Sequence, residues 1–294
     1  MIARLYQTPA ALLTLTAFMW GMNAIIGQLA VGEIAPFALV LARWVMVAAV
    51  LWPLFGRQVI AHWPAIRARL GAVVFMSIAG FTAFNSLFYV ASIHTSGVNI
   101  GILQGSMPVM VLIGAVMLFG ERVSALQIIG VIVTLAGVAV VACKGDLDVL
   151  LSRALNYGDL LMLIAALFYS AYTVAIRARP DVPGAALFTL FAVIAAVAAI
   201  PLAVWETTTP GYEWPTLNGW ALAVIVAVFP SCLAQLFFLR GVDLIGPAKA
   251  GVYINLVPIF AAILAVIVLG EVFAAFHALA LTLVLGGIWL AGRK

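Results

Sequence analysis

The sequence predicts an all-α polytopic membrane protein, with ten transmembrane helices arranged as two inverted five-helix repeats. Hydrophobic residues make up 66% of the 294-residue chain and charged residues only 8%, whereas soluble globular proteins average about 45–50% and about 25%. Long apolar stretches follow one another along the chain, and landmarks of the first half recur in the second. This composition excludes a soluble enzyme, a nucleic-acid-binding protein and a disordered scaffold.

Each apolar stretch is long enough for a membrane-spanning helix, which needs about 20 residues. The predicted spans are 9–30, 36–55, 70–92, 96–119, 125–143, 157–176, 184–205, 218–240, 246–269 and 274–292. The stretches are too continuous for the alternating strands of a β-barrel. The first stretch lacks a small-residue cleavage site and is followed by further spans, so we interpret it as a retained helix rather than a signal peptide.

The charged residues indicate how the chain is oriented. With ten crossings both termini lie on one side, and ten of the 14 basic residues fall on that side, while Lys144 and Arg153 fall on the other. Cytoplasmic segments carry an excess of Lys and Arg, so we expect both termini in the cytoplasm. The acidic residues predicted on the outer side are Glu33, Asp146, Asp148, Asp159, Glu206, Glu213 and Glu271.

A shift of 150 positions lays the second half of the chain on the first without gaps. The coincident residues are Gly101 with Gly251, Pro108 with Pro258, and Gly120-Glu121 with Gly270-Glu271. We therefore predict two repeats, 1–147 and 148–294, within one membrane-embedded unit. Because five helices is an odd number, the second copy enters the membrane from the opposite face, as in many secondary transporters. Chance likeness of two apolar stretches is the alternative, and the shared register disfavours it.

The repeated landmarks have structural interpretations. Gly120 and Gly270 are expected to end their helices as left-handed C-caps. The glutamates after them, Glu121 and Glu271, are expected to open the next helices, where a negative charge suits the helix dipole. A proton-carrying role for these glutamates is the alternative, which their predicted position at the membrane border disfavours.

The two repeated prolines are candidates for a moving part. Pro108 and Pro258 are predicted inside helices 4 and 9, where each removes a backbone hydrogen bond and kinks its helix. Gly101 and Gly251 precede them by about two turns on the same face. A hinge in a rocking helix is one interpretation, and prolines tolerated within a packed bundle are the other.

Polar and aromatic residues at membrane depth are the best candidates for a solute pathway, because each costs free energy unless it finds a partner or water. The candidate pathway residues are Trp20, Asn23, Arg43, Phe81, Asn85, Tyr89, Asn99, Gln104, Tyr169, Tyr172, Gln235, Tyr253 and Asn255. An aromatic, amide-lined and nearly uncharged cavity suits a neutral or zwitterionic solute with apolar parts. Each polar residue could instead form a hydrogen bond between helices.

Arg43 is the one cation predicted deep in a span, about 12 Å along its helix at 1.5 Å per residue. A buried guanidinium needs a partner, and a substrate carboxylate is one candidate. The alternatives are snorkelling towards the membrane surface and binding to helix carbonyls. Lys249 lies nearer a helix end, where snorkelling is expected.

Several expected absences narrow the mechanism. No Asp or Glu is predicted in the centre of a span, where proton-coupled carriers often hold a carboxylate. No GxxxxGK[ST] phosphate-binding loop occurs in the sequence, so neither ATP hydrolysis nor an ATPase subunit is implied. No cofactor or metal is expected. These features favour facilitated export or exchange down a gradient, with weak coupling by an unknown means as the alternative.

These motifs resemble the drug/metabolite transporter superfamily, specifically its EamA-type ten-helix family. The resemblance covers the whole chain as two copies. It is carried by Trp20-Gly21-x-Asn23, Pro108 with Gly120-Glu121, Gly158-Asp159, and Pro258 with Gly270-Glu271. Within the superfamily the chain is similar to the YddG-type amino-acid exporters of bacterial inner membranes. It departs from the usual pattern at Tyr169-Ser170, where Trp-Ala or Trp-Gly is common, and this leaves the substrate open.

The resemblance implies a secondary transporter that exports or exchanges small neutral or zwitterionic metabolites by alternating access through a central cavity. Together with the cavity chemistry it favours amino acids, including aromatic ones, with purines, drugs and sugars as alternatives. It implies a multi-pass protein of the bacterial inner membrane that functions as a monomer, with a small-molecule substrate and the lipid bilayer as its partners. A channel is a further alternative. An intramembrane enzyme is disfavoured, because no convergent catalytic groups are predicted.

Overall fold

The structure is a computed structural model that describes residues 6–120, 122–146 and 156–293, and within these residues it contains helices and no strands. Nine helical segments are long and apolar enough to cross a membrane, and the tenth falls just short with 17 residues. The predicted all-α membrane fold is therefore confirmed. The segments are α1 (Pro9–Leu29), α2 (Pro36–Ala61), α3 (Leu70–His94), α4 (Gly97–Phe119), α5 (Ala125–Ala142), α6 (Tyr157–Ala178), α7 (Gly184–Thr207), α8 (Leu217–Ile245), α9 (Pro247–Val252, Tyr253–Leu256 and Val257–Leu269) and α10 (Ala275–Ala291).

Two helices run further than their apolar stretches predict. α2 continues through Pro53 to Ala61, beyond the predicted end at residue 55, and is followed by a short helix at Trp63–Arg67. α8 continues to Ile245. Apolar length marks where a helix leaves the hydrocarbon, whereas backbone hydrogen bonding continues into the polar region until a stop signal is met.

The irregular segments of the backbone recur at equivalent places in the two halves. α3 contains a π-helical segment at Ile78–Ala83, and α8 contains one at Ala227–Leu233. α4 and α9 are both interrupted near their middles. Gly120 and Gly270 end their helices with φ of 64° and 67°, which confirms the predicted left-handed caps. The 150-residue repeat is therefore visible in the backbone as well as in the sequence.

The helices of the two halves are interleaved. α5 packs along α10, α2 along α7, and α4 along α9, so each of these six helices contacts its own repeat equivalent. The other extensive contacts form two pairs that the repeat exchanges, α3 with α6 and α1 with α8, and α1 with α9 and α4 with α6. This is the pattern that an approximate two-fold axis between the halves produces.

Pro108 and Pro258 do not kink continuous helices, although the sequence predicts that they do. α4 consists of two helices, Gly97–Gln104 and Met107–Phe119, and Pro108 lies in the first turn of the second helix. Pro258 occupies the same place in the helix Val257–Leu269. In a first turn the missing N–H breaks no helical hydrogen bond. The prolines therefore lie within α4 and α9, as predicted, but each begins a new helical piece instead of bending a continuous helix.

We call the face of the bundle at which α1 begins and α10 ends the terminal face, and the other the opposite face. At the opposite face Glu271 lies in the connection before α10, which begins at Ala275, so it does not open the next helix as expected. Its carboxylate instead accepts hydrogen bonds from the backbone N–H groups of Gly97 at 2.7 Å and Val98 at 2.9 Å, capping α4 of the other half. Glu121 lies outside the described residues.

Two further contacts join the halves at the opposite face. The carboxylate of Glu206, at the end of α7, accepts hydrogen bonds from the N–H groups of Phe37 at 3.0 Å and Ala38 at 2.8 Å, in the first turn of α2. The hydroxyl of Thr216, in the α7–α8 connection, donates to the carboxylate of Glu33, in the α1–α2 connection. Carboxylates suit helix N-termini because they satisfy free N–H groups and complement the dipole.

Gly287 tests the packing of α5 against α10. A Cβ atom on Gly287 would lie 2.6 Å from both the carbonyl oxygen of Gly130 and the amide nitrogen of Thr134, whereas one on the adjacent Gly286 would meet nothing within 4 Å. Overpacking costs about 1–3 kcal/mol. We expect Gly287→Ala to lower the thermal unfolding midpoint in detergent by several degrees and Gly286→Ala to leave it unchanged or raised. Equal midpoints for the two variants would contradict this packing.

Gly101 and Gly251 provide a second test, because the structure gives these repeat equivalents different surroundings. A Cβ atom on Gly101 would lie 2.5 Å from the Cβ atom of Ala261 in α9, while one on Gly251 would meet nothing within 4 Å. We expect Gly101→Ala to lower the thermal midpoint and Gly251→Ala to be tolerated. A similar loss in both variants would favour a shared backbone role such as a hinge.

Candidate functional site

A cavity of about 590 Å³ lies between the halves and is lined by residues from every helix except α5. We call it the central cavity. It reaches the terminal face, where Ile176 and Gly292 line it. Towards the opposite face it ends at Asn23, Arg43 and Asn85. Arg43 is the only charged residue among those that line it.

Aromatic rings form much of the cavity wall. The ring of Phe81 lies 5.1 Å from that of Tyr172, that of Phe84 lies 5.1 Å from that of Tyr169, and the two tyrosine rings lie 5.4 Å apart. The ring of Tyr172 sits against the backbone of Gly80, where a Cβ atom would lie 2.5 Å from its Cγ. Tilted and edge-on arrangements of this kind are the favoured geometries of aromatic pairs.

Arg43 is 6% exposed and is held by neutral groups. Its Nε donates to the hydroxyl of Ser231 at 2.6 Å. Its Nη1 donates to Asn85 Oδ1 at 2.6 Å, to the hydroxyl of Tyr89 at 2.8 Å and to Asn23 Oδ1 at 3.3 Å. The guanidinium therefore neither snorkels nor binds helix carbonyls, and its partners come from α1, α3 and α8. We call these five residues the Arg43 network.

The two π-helical segments supply polar groups around this network. In α8, Pro230 has no N–H to donate to the carbonyl of Val226, and the hydroxyl of Ser231 donates to that oxygen at 2.6 Å. The carbonyl of Pro230 in turn accepts a hydrogen bond from Trp20 Nε1 at 3.1 Å. π-helical segments often occur at functional sites, and here they turn backbone and side-chain groups towards the cavity.

The equivalent π-helical segment in α3 also offers a backbone carbonyl to side chains near the cavity. The carbonyl of Phe81 accepts hydrogen bonds from Asn85 Nδ2 at 2.6 Å and from Trp44 Nε1 at 3.1 Å. These bonds fix the amide of Asn85 so that its oxygen points to Arg43. The segment therefore orients one ligand of the guanidinium.

A second, smaller cavity of about 290 Å³ opens at the opposite face. We call it the vestibule. Its walls come from the α1–α2 connection, the end of α7 and the following loop, with Tyr89 and Ile93 from α3. Tyr89 is therefore the member of the Arg43 network that faces away from the central cavity.

The structure brings most of the predicted pathway residues together. Those that line the central cavity are Trp20, Asn23, Arg43, Phe81, Asn85, Gln104, Tyr169, Tyr172, Gln235 and Asn255. Tyr89 lines the vestibule. Asn99 and Tyr253 line neither cavity. Of the predicted structural landmarks, Pro108, Gly251 and Pro258 also line the central cavity.

Asn99 belongs to a separate buried polar cluster near the opposite face. Its Nδ2 donates to both oxygens of Asp159 at 3.3 Å, and its Oδ1 lies 3.2 Å from His277 Nε2. The hydroxyl of Thr95 also donates to Asp159. These contacts join α3, α4, α6 and α10, so Asn99 ties helices together instead of facing a solute.

Sequence reasoning missed other residues of the cavity wall, among them Trp44, Phe84, Thr173 and Phe188. Thr173 is one helical turn from Tyr169, so its spacing could have identified it. The other three are apolar residues within apolar helices, and no sequence signal distinguishes them from lipid-facing ones. Among the described residues, no group of three His, Cys, Asp or Glu side chains is placed to hold a metal ion.

Comparison with known proteins identifies the family. The sequence model of the EamA-like transporter family matches residues 8–143 and again residues 156–293. The chain is 23% identical to the uncharacterized transporter YetK of Bacillus subtilis, over 93% of this chain and 83% of YetK. It is 25% identical to an uncharacterized transporter of Archaeoglobus fulgidus, over 96% of each chain.

A solved crystal structure supports the fold. It aligns over 96% of both chains with a TM-score of 0.65 and 20% sequence identity. The two family matches cover nearly the whole chain as two copies, in agreement with the repeat in sequence and backbone. The protein is therefore a membrane transporter rather than an enzyme, and it belongs to the EamA-like transporter family.

Proposed function

We propose that the protein is a secondary transporter that exports or exchanges small neutral or zwitterionic metabolites, with amino acids, including aromatic ones, as the preferred class. The observation that carries this proposal is the central cavity of about 590 Å³, whose aromatic walls enclose a single charged side chain, Arg43. Ligand pockets of about 300–1,000 Å³ with mostly apolar walls and a few placed polar groups are typical small-molecule sites.

The lining suits both parts of an amino acid. Tyr169, Tyr172 and Phe81 offer ring faces and edges to an apolar or aromatic side chain. Amide groups of Gln104, Gln235 and Asn255 line the same cavity, and they can accept hydrogen bonds from an ammonium group or donate them to a carboxylate. Among the described residues of the lining there is no acid that would favour a cation.

The asymmetry of the two faces supports alternating access. The central cavity reaches the terminal face, whereas at the opposite face Glu206 and Glu271 cap helices of the other half and Glu33 pairs with Thr216. If the charge bias orients the protein as proposed, with both termini in the cytoplasm of a bacterial inner membrane, this conformation is open to the cytoplasm. A monomer suffices, since one chain supplies the whole cavity.

Counter-flow separates this proposal from its alternatives. We expect purified protein in proteoliposomes loaded with unlabelled phenylalanine to accelerate uptake of labelled phenylalanine several-fold over unloaded vesicles, because a carrier returns faster when loaded. Adenine, a sugar and a hydrophobic drug serve as competitors. Saturable uptake without stimulation by internal substrate would favour a channel, and transport of one competitor but no amino acid would reassign the substrate.

Tyr169 tests the aromatic wall. We expect Tyr169→Ala to raise the KM for phenylalanine about tenfold while changing the KM for alanine much less, because an aromatic pair contributes about 0.5–1.5 kcal/mol beyond the buried area. Tyr157→Ala is the matched control, since Tyr157 lies on the same helix and is 59% exposed. An equal effect of the two substitutions, or an equal effect of Tyr169→Ala on both substrates, would remove Tyr169 from the site.

A further inference from the structure

The two cavities approach each other at the Arg43 network. Arg43, Asn23 and Asn85 line the central cavity, while Tyr89 lines the vestibule. The hydroxyl of Tyr89 accepts from Arg43 Nη1 at 2.8 Å and donates to Asn23 Oδ1 at 2.9 Å. None of these side chains is more than 6% exposed. A barrier of buried, hydrogen-bonded side chains therefore separates the central cavity from the vestibule.

The guanidinium in this barrier has unused donor capacity. Nη1 carries two protons but is shared among Asn85, Tyr89 and Asn23, the last at 3.3 Å. Nη2 makes no hydrogen bond to any described residue, and it is not fully buried. It therefore keeps accessible surface, and Arg43 lines the central cavity. All four side chains that accept from Arg43 are neutral.

We propose that Arg43 binds the carboxylate of the transported solute, and that this binding releases Tyr89 and Asn23 and so opens the barrier towards the vestibule. The proposal rests on the proposed function of the central cavity, which it makes specific for solutes that carry a carboxylate. A carboxylate can bridge Nη1 and Nη2 with charge-assisted bonds, which are about twice as strong as bonds between neutral groups.

The geometry explains how binding and opening are linked. An oxygen of the solute on Nη1 needs one of its two protons. Because Asn85 is held in place by its bond to the carbonyl of Phe81, the bonds that break are those to Tyr89 and Asn23. During this exchange, the hydrogen bond from Arg43 Nε to Ser231 keeps the guanidinium attached to α8. The solute can shift the conformational equilibrium because it binds the released guanidinium better than the one held by Tyr89.

The first test compares four probes that share a phenyl ring, which are L-phenylalanine, 3-phenylpropionate, L-phenylalaninamide and phenethylamine. Binding to the purified full chain is measured by quenching of tryptophan fluorescence, since Trp20 and Trp44 line the cavity. We expect the two carboxylates to bind at least about tenfold more tightly than the amide and the amine. Arg43→Gln should abolish this preference, and the control Tyr253→Phe should keep it.

The outcomes separate this inference from the proposed function. Equal binding of phenylalanine and its amide would overturn the inference and leave an amino-acid carrier standing. Binding of 3-phenylpropionate without phenylalanine would support Arg43 as a carboxylate site and overturn the amino-acid proposal. Binding of none of the probes would contradict both. Where Arg43→Gln does not fold, Arg43→Lys should retain a weakened preference, and full retention of the wild-type ratio would count against the guanidinium.

The second test measures the barrier. A single cysteine is introduced as Phe84→Cys, on the cavity side, after Cys143→Ala and Cys232→Ala remove the native thiols. A membrane-impermeant thiol reagent is added at the opposite face of vesicles whose orientation is assigned by protease cleavage of a C-terminal tag. We expect slow labelling that 3-phenylpropionate accelerates several-fold and phenethylamine does not. Tyr89→Phe should accelerate labelling without any ligand. If neither 3-phenylpropionate nor Tyr89→Phe changed the labelling rate, the link between Arg43 and the barrier would be overturned.

Discussion

The solvation of one buried cation constrains the centre of this transporter. A charged side chain at membrane depth is costly unless polar groups replace its water. Arg43, on α2, is solvated by Ser231 of α8, Asn23 of α1, and Asn85 and Tyr89 of α3. These helices belong to both halves of the chain. Because removal of a partner leaves a buried charge under-solvated, the relative positions of the four helices depend on the guanidinium.

Backbone irregularities make this arrangement possible. A regular helix uses its own carbonyls internally, so its wall offers few hydrogen-bonding groups. The π-helical segments of α3 and α8 turn the carbonyls of Phe81 and Pro230 outwards, where they anchor Trp44 and Trp20. Non-helical backbone at membrane depth is tolerated where it is buried in protein or lines a cavity. The segments therefore fix the aromatic walls and the ligands of Arg43 together.

The sequence predicted the fold and much of the cavity because both depend on local signals. Apolar length located every span, and polar side chains at depth located Asn23, Asn85 and Gln235. It did not predict that α4 and α9 break, because a proline in the first turn of a helix and one in a helix interior look alike in sequence. It also could not pair Glu271 with α4, or Asn99 with Asp159, since these contacts arise only from packing of helices distant in the chain.

The side chains at the centre of the bundle differ between the two halves, although the backbone repeats. Asn23, Arg43 and Tyr89 of the first half belong to the Arg43 network. At the equivalent positions of the second half, displaced by 149, 148 and 150 residues, stand Tyr172, Phe191 and Leu239. The rings of Tyr172 and Phe191 lie 6.2 Å apart and both contact Phe81.

Two identical halves would offer a solute the same groups from both sides. Here the first half supplies the cation and three of its four hydrogen-bonding partners, whereas Tyr172 and Phe191 stand at the equivalent positions of Asn23 and Arg43 in the second half. In the proposed mode of binding, an amphipathic solute places its carboxylate at Arg43 and its apolar part against rings such as those of Tyr169 and Tyr172. In the proposed alternating-access mechanism, the backbone repeat provides two openings of similar geometry, and the substituted side chains give the solute a preferred orientation.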